Sequence, residues 1–254
     1  MRVRGRRALV TAGSSGLGAA IAASLRADGA EVFITGTGPH TGEVARDIGA
    51  ADWAIADFTQ PGAAATAAAA AREALGGIDI LVSNTGGTRA AKASELSAED
   101  WDSAYRLLLN SAISLTSAVL PAMSAAGWGR LIYVTSVGVV KPLPLLHLSN
   151  VMRAGVAALA RSLAAEVAPN GVTTHVIAPA HIDTPRRRAL AAARAAAADA
   201  PVAELEQRQL ATELPIGRWG RPDEIAELVT HLCSDFAGFQ TGQTHVVDGG
   251  MTST

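Results

Sequence analysis

Cysteine is almost missing from the 254 residues. Cys233 stands alone, which excludes an internal disulfide and any cysteine-based zinc site. Excess basic charge is missing too. The formal charge is −2 with a pI near 6.3, so nothing suggests a nucleic-acid-binding surface. No uninterrupted apolar run reaches a membrane-spanning length, because Arg, Asp, Pro or Gly cuts each one short. The start, Met1 to Arg7, is basic, but the apolar run behind it ends by Ala12, too early for a signal peptide. Aromatic residues make up 4% of the chain and include two tyrosines, Tyr105 and Tyr133. By contrast, 49% of the residues are hydrophobic and 17% charged, with alanine and glycine abundant. That is ample material for a core. The expectation is a soluble, cytoplasmic globular protein that holds no metal and binds neither nucleic acid nor membrane.

Short apolar runs alternate with longer helical stretches, the pattern of a parallel sheet with crossover helices. The runs Ala8–Thr11, Glu31–Thr35, Asp52–Ala56, Ile78–Ser83, Arg130–Thr135, Val172–Ile177 and Thr244–Val247 read as seven strands. Several are nearly all apolar, as strands covered on both faces should be. Helices are expected near 16–28, 61–75, 98–126, 148–168 and 222–234, with Ser97 and Asp100 forming a capping box. Right-handed crossovers stack this α/β chain into one doubly wound, three-layer Rossmann-type domain. More than forty residues, about 181–221, exceed what the minimal fold needs and read as a substrate lid. Within it Thr184-Pro185 supplies an N-cap and first helical position, and the alanine-rich stretch 189–200 reads as helix.

Directly after the first strand comes Thr11-Ala-Gly-Ser-Ser-Gly-Leu-Gly18. Gly16 and Gly18 allow a tight turn and close approach of backbone to a pyrophosphate, beside the free N–H groups of a helix start. With this loop in place, the chain resembles the classical short-chain dehydrogenase/reductase family over nearly its whole length, with closest similarity to 3-oxoacyl-carrier-protein reductase-like members. The loop is similar to the family's T-G-x-x-x-G-x-G, with Ala12 in place of the first glycine. Asp57-Phe58 matches its adenine-contacting pair, and Ser83-Asn84-Thr85-Gly86 its N-N-A-G motif. Asn110 and Ser136 occupy the positions of its catalytic-site asparagine and serine. Pro179-Ala-His-Ile-Asp-Thr184 resembles P-G-x-I-x-T, and Val247-Asp-Gly-Gly250 its C-terminal motif.

The resemblance implies a nicotinamide dinucleotide held by Gly13, Ser14, Ser15, Gly16, Leu17, Gly18, Thr37, Asp57, Phe58, Asn84, Gly86, Arg153, Ile182 and Thr184. The second strand ends in Thr35-Gly-Thr-Gly38, with neither the acid that marks NAD nor the arginine that marks NADP. NADP is favoured over NAD because no carboxylate repels a 2′-phosphate. A homotetramer or homodimer is also implied, with two-fold contacts through helices 98–126 and 148–168, where Gly155 and Ala158 permit close approach.

One part of the family pattern is broken. Its proton-donating tyrosine and the lysine four residues later correspond to Ser149 and Arg153. A serine hydroxyl is a far weaker acid than a phenol, whose reference pKa is about 10. Arginine keeps its positive charge but cannot shuttle a proton at physiological pH. The spacing on one helix face survives while the acid–base capacity is lost. His147 is the first candidate substitute, since histidine titrates near neutrality, and His181 the second. Asn110 and Ser136 remain as donors toward developing charge. Arg186, Arg187 and Arg188 in the lid read either as a clamp for an anionic substrate group or as a solvated basic helix start. The expected function is an NAD(P)-dependent oxidoreductase with a nonstandard proton donor, acting on a small organic or carrier-bound substrate. The alternatives are a non-redox isomerase, decarboxylase or cyclase, and a nucleotide-binding pseudoenzyme or regulator.

Overall fold

The computed structural model describes residues 1–253. Seven parallel strands form a single sheet in the order β3-β2-β1-β4-β5-β6-β7. They are β1 (Arg7–Val10), β2 (Glu31–Gly36), β3 (Asp52–Ile55), β4 (Ile80–Ser83), β5 (Gly129–Val134), β6 (Val172–Pro179) and β7 (Gln243–Val247). Each expected strand is present, and observed ends shift by at most two residues.

The strand side chains alternate between two hydrophobic layers, as the period of two requires. In β1, Ala8 and Val10 join a core with Ile21, Leu25, Ile34, Val82, Ile132, Ile225 and Val229. Leu9 points the other way, into a core with Phe33, Leu81, Leu131, Tyr133, Leu115, Val119 and Val156. The first layer is covered by α1 (Gly16–Ala27) and α9 (Pro222–Leu232), the second by α3 (Ala63–Leu75), α5 (Ser111–Ala126) and α6 (His147–Val167). The order reverses between β1 and β4, so a crevice opens at the carboxyl ends of those strands, where doubly wound folds bind ligands.

Three local features depart from the sequence expectation. An eight-residue helix, α2 (Thr41–Ile48), follows β2 and ends at left-handed Gly49, φ +67°. The helix expected over 98–126 is interrupted. It runs as α4 (Ala98–Ala104), a π turn (Tyr105–Asn110), then α5. This run is long and apolar enough to cross a membrane by composition. Here it carries Asp102, Arg106 and Pro121, and it buries Leu115, Val119 and Met123 against the sheet. Gly155, expected to admit a partner subunit, instead packs against Leu109 of the π turn in its own chain, 3.0 Å from a built Cβ.

The segment beyond β6 forms two helices, α7 (Pro185–Ala198) and α8 (Val202–Glu213). The Thr184 hydroxyl accepts from the backbone N–H of Arg187, so the expected N-cap is present. The ends of the segment are joined. Asp183 N–H donates to Gly220 O at 2.8 Å, and Gly220 N–H donates to His181 O at 3.1 Å.

Candidate active site

The glycine loop is fastened to the strands on both sides. Thr11 Oγ1 donates to Asn84 O at 2.6 Å and accepts from Asn84 N at 2.9 Å. Gly13 N–H donates to Thr35 O at 2.7 Å, and Asn84 Nδ2 donates to Ala12 O at 3.4 Å. Ala12 has φ +47°, a left-handed conformation that glycine adopts without strain and alanine does not. Gly16 is also left-handed, at φ +53°, and at Gly18 the Ala12 carbonyl leaves no room for a Cβ. Ser15 is the N-cap of α1 but makes no side-chain cap bond, leaving first-turn N–H groups available to an anion.

Thr184 closes over this loop, its Cβ and Cγ2 3.4 Å from a Cβ built on Gly16. Ile182 is buried beneath it, and Leu17 packs partly buried against the same core. Ser14 lies against Gly36, while Thr37 is exposed just beyond β2. At the end of β3, Asp57 Oδ1 accepts from the Thr59 N–H at 2.9 Å and its hydroxyl at 2.8 Å. Those bonds hold its carboxyl below the usual range. Phe58 turns inward, into the core layer beside α3. The bare, left-handed loop and the uncapped helix start fit a dinucleotide pyrophosphate.

The other half of the crevice is built around Arg153. Its side chain runs from α6 under the ends of β4 and β5. Nε donates to Ser149 Oγ at 3.2 Å, and Nη1 donates to Val134 O at 2.8 Å and Thr135 O at 3.2 Å. Nη2 donates to Gly86 O at 3.2 Å. Four of the five N–H bonds are thereby used, and one on Nη2 remains. Arg153 is 9% exposed as a whole residue. Burial, then repulsion from Arg186, pushes its pKa down to about 10. Ser136 follows directly on the carbonyls that Arg153 holds, and its Oγ accepts from Gly138 N at 3.1 Å. Asn150 braces this corner by donating to Leu143 O at 2.8 Å and lying against Gly138.

Asn110, half-buried, is the last residue of the π turn, a helix irregularity common at functional sites. His147 lies about 200° around α6 from Ser149, on the face of Val151, Ala154 and Ala158, all exposed. The structure therefore separates it from the Ser149–Arg153 pair. His181 is engaged by the lid, with Nε2 2.7 Å from Glu213 Oε2. Tyr133 is a core residue, bonded to Thr116 Oγ1 at 2.7 Å and pushed up to about 12 by burial.

Of the lid arginines, Arg187 pairs with Asp183 and Glu206, and Arg188 with Asp183. Arg186 instead lies flat on the Gly87 backbone and donates to Thr88 O at 3.4 Å. Sequence reasoning missed that difference, and it missed the use of Arg153 to join β4 to β5.

Residues 11–252 match the family model described as enoyl-(acyl carrier protein) reductase. The 3-oxoacyl-[acyl-carrier-protein] reductase FabG of Escherichia coli is 34% identical over 255 residues, covering 99% of each chain. The match to nodulation protein G of Azospirillum brasilense, 35% identical, spans 150 residues and only 56% of that protein. L-sorbose reductase from Gluconobacter frateurii, solved with NADPH and L-sorbose, superposes with a TM-score of 0.94 at 29% identity over the whole of both chains. Together with the loop, the seven-stranded order and the retained Asn110 and Ser136, these similarities show that the chain belongs to the classical short-chain dehydrogenase/reductase family of NAD(P)-dependent oxidoreductases.

Proposed function

We propose that the chain is an NADP-preferring oxidoreductase that interconverts a ketone and an alcohol, with Ser149 and Arg153 doing the work that a tyrosine and lysine do in its relatives. The observation that carries this reading is the Arg153 side chain. It bonds Ser149 Oγ and the carbonyls of Val134 and Thr135 together, which ties the Ser149 hydroxyl to the end of β5 that leads into Ser136.

The glycine loop and the α1 start would hold the pyrophosphate, Asn84 would keep the β4 end in place, and Thr184 and Ile182 would border the ring. When bound, the dinucleotide supplies or accepts a hydride. Ser149 Oγ already accepts from Arg153, and Ser136 Oγ from Gly138, so both hydroxyl hydrogens are free to donate to a substrate oxygen. The permanent charge on Arg153 strengthens Ser149 as a donor toward developing negative charge. In the reductive direction the Ser149 proton passes to the substrate oxygen and is replaced from solvent. NADP preference rests on the absence of a carboxylate at Thr35 to Gly38, where one would repel a 2′-phosphate. Exposed Ile113 and Val151 on α5 and α6 support a homodimer or homotetramer through those helices.

The test is NADPH fluorescence titration together with oxidation at 340 nm against a ketone panel. Expected are NADPH binding that Gly16→Val abolishes, and a turnover rate flat between about pH 6 and 9, because neither serine nor arginine titrates there. A rate following a single titration near neutrality overturns the Ser149–Arg153 assignment. NADPH binding with no turnover of any ketone favours the regulator reading instead, and the weak acidity of a serine hydroxyl already speaks for it.

A further inference from the structure

Two guanidinium groups face the Gly86-Gly87-Thr88 turn with no carboxylate to balance them. Among the described residues, no Asp or Glu oxygen lies within 4 Å of Arg153 or Arg186, although the neighbouring Arg187 and Arg188 are both paired. Arg153 reaches the turn from α6 through Gly86 O, and Arg186 reaches it from α7 through Thr88 O. Arg186 can lie this close only because residue 87 has no side chain. A Cβ there would overlap its guanidinium. The two charges sense each other, since Arg186 helps to depress the Arg153 pKa. In the same segment the Thr88 hydroxyl is buried without a hydrogen-bond partner.

Buried charges and hydroxyls are ordinarily paired. Arg153 is such a buried charge, and exposed Arg186 brings a second cation to the same segment, so the two guanidinium groups together present an anion with a positive receiving face. The donors still available are the one spare N–H on Arg153 Nη2 and the outer N–H groups of Arg186. The open side of the Arg186 fork together with the single spare Arg153 N–H matches the two oxygens of a carboxylate.

We propose that the substrate is an oxo acid (or, in reverse, a hydroxy acid) whose carboxylate is received between Arg153 and Arg186 at the Gly86–Thr88 turn. This rests on the oxidoreductase reading above and names the substrate class of that same crevice. The lid residue Arg186 is then a specificity determinant, already held at this segment by its bond to Thr88 O.

The experiment uses pyruvate, acetoacetate and levulinate beside their methyl esters, with wild type, Arg186→Ala, Arg186→Lys and Arg188→Ala. Turnover is followed at 340 nm, and binding by quenching of the fluorescence of enzyme-bound NADPH. Expected is a kcat/KM for at least one acid above its ester. Arg186→Ala should reduce the acid's value by roughly 10- to 100-fold, the range for losing a charged hydrogen-bond partner, and leave the ester's unchanged. Arg186→Lys should recover part of it, and Arg188→Ala should match wild type. Esters preferred over acids, or equal losses for both in Arg186→Ala, overturn the proposal while leaving the oxidoreductase reading standing. Should no compound turn over, the quenching decides. A carboxylate response lost in Arg186→Ala supports the site, and no response in wild type overturns it. Absence of NADPH binding in wild type would instead be the failure of the oxidoreductase reading. The carboxylate arm is then read from the thermal shift that the oxo acids give to wild type and not to Arg186→Ala, and no such shift overturns the proposal.

Discussion

The two ends of β5 each hold a buried arginine, and the contrast between them separates structure from function. At the amino end, Arg130 is 3% exposed. It stacks on Trp128 at 4.2 Å, lies 3.8 Å from the Asp235 carboxylate, and donates to the carbonyls of Gly129, Gly171 and Ser234. At the carboxyl end, Arg153 meets carbonyls and one hydroxyl, with Arg186 rather than an acid as the nearest charge. Both guanidinium groups tie chain segments together. Only the first is neutralised, and only the second borders the crevice. A buried cation without a counter-charge costs stability, and such a cost is typical of a group kept for binding or chemistry.

The largest expected effect tests this contrast directly. Arg153→Met should lower turnover by about 100-fold, the loss seen when one donor to developing charge is removed. It should change stability by no more than about 1 kcal/mol, since losing the hydrogen bonds is offset by relief of an unbalanced charge. Steady-state kinetics and urea denaturation read the two outcomes. If Arg153→Met unfolds the protein while keeping the specific activity of the folded fraction, the contrast fails.

Next comes the acid side of the stability profile. His175 on β6 is fully buried. Burial first, then His245 and Arg130, pushes its pKa down to about 4. The unfolded chain takes up this proton from pH 6.5 downward and the folded protein does not until about pH 4. Stability should therefore fall across that window by about 3 kcal/mol. Thermal unfolding from pH 7 to 4 measures the slope, which His175→Asn should flatten. A slope equal in both proteins would assign the acid limb elsewhere.

Arg130→Met sharpens the comparison from the other end. It should cost about 2 kcal/mol through lost stacking and hydrogen bonds, with kcat and KM unchanged. The smallest effect belongs to the glycine loop. Ala12→Gly removes a left-handed alanine at the price of a more flexible unfolded chain, for a net gain of about 0.5–1 kcal/mol. A lower melting temperature in that variant would mean the Ala12 methyl packs better than its backbone angle implies.

Much of this was legible in the chain itself, because it follows from local periodicity. The apolar runs Leu9–Val10 and Leu131–Val134 read as strands covered on both faces, and Thr184-Pro185 read as a helix start. The four-residue step from Ser149 to Arg153 placed them on one helix face, and they are bonded there. The same periodicity would have set His147 on the far side. Helix α2 escaped notice because its eight residues follow Gly-Thr-Gly-Pro, although Val44, Ala45 and Ile48 at helical spacing before Gly49 were the available signal. What no local pattern carries is the partner choice of an arginine. Arg187 finds Glu206 across a helix pair and Arg186 finds a glycine a hundred residues away. That distinction depends on where the chain returns in space.

The joined ends of the segment between β6 and α9 have a consequence for how such proteins diversify. Asp183, Gly220 and His181 hydrogen-bond one another across the neck, so α7 and α8 leave and re-enter the fold through a gate already closed by backbone. Chain length inside a closed neck adds little to its entropic cost. The whole excursion behaves as an exchangeable cassette, and a graft of different length and charge at that neck can alter selectivity without touching the sheet.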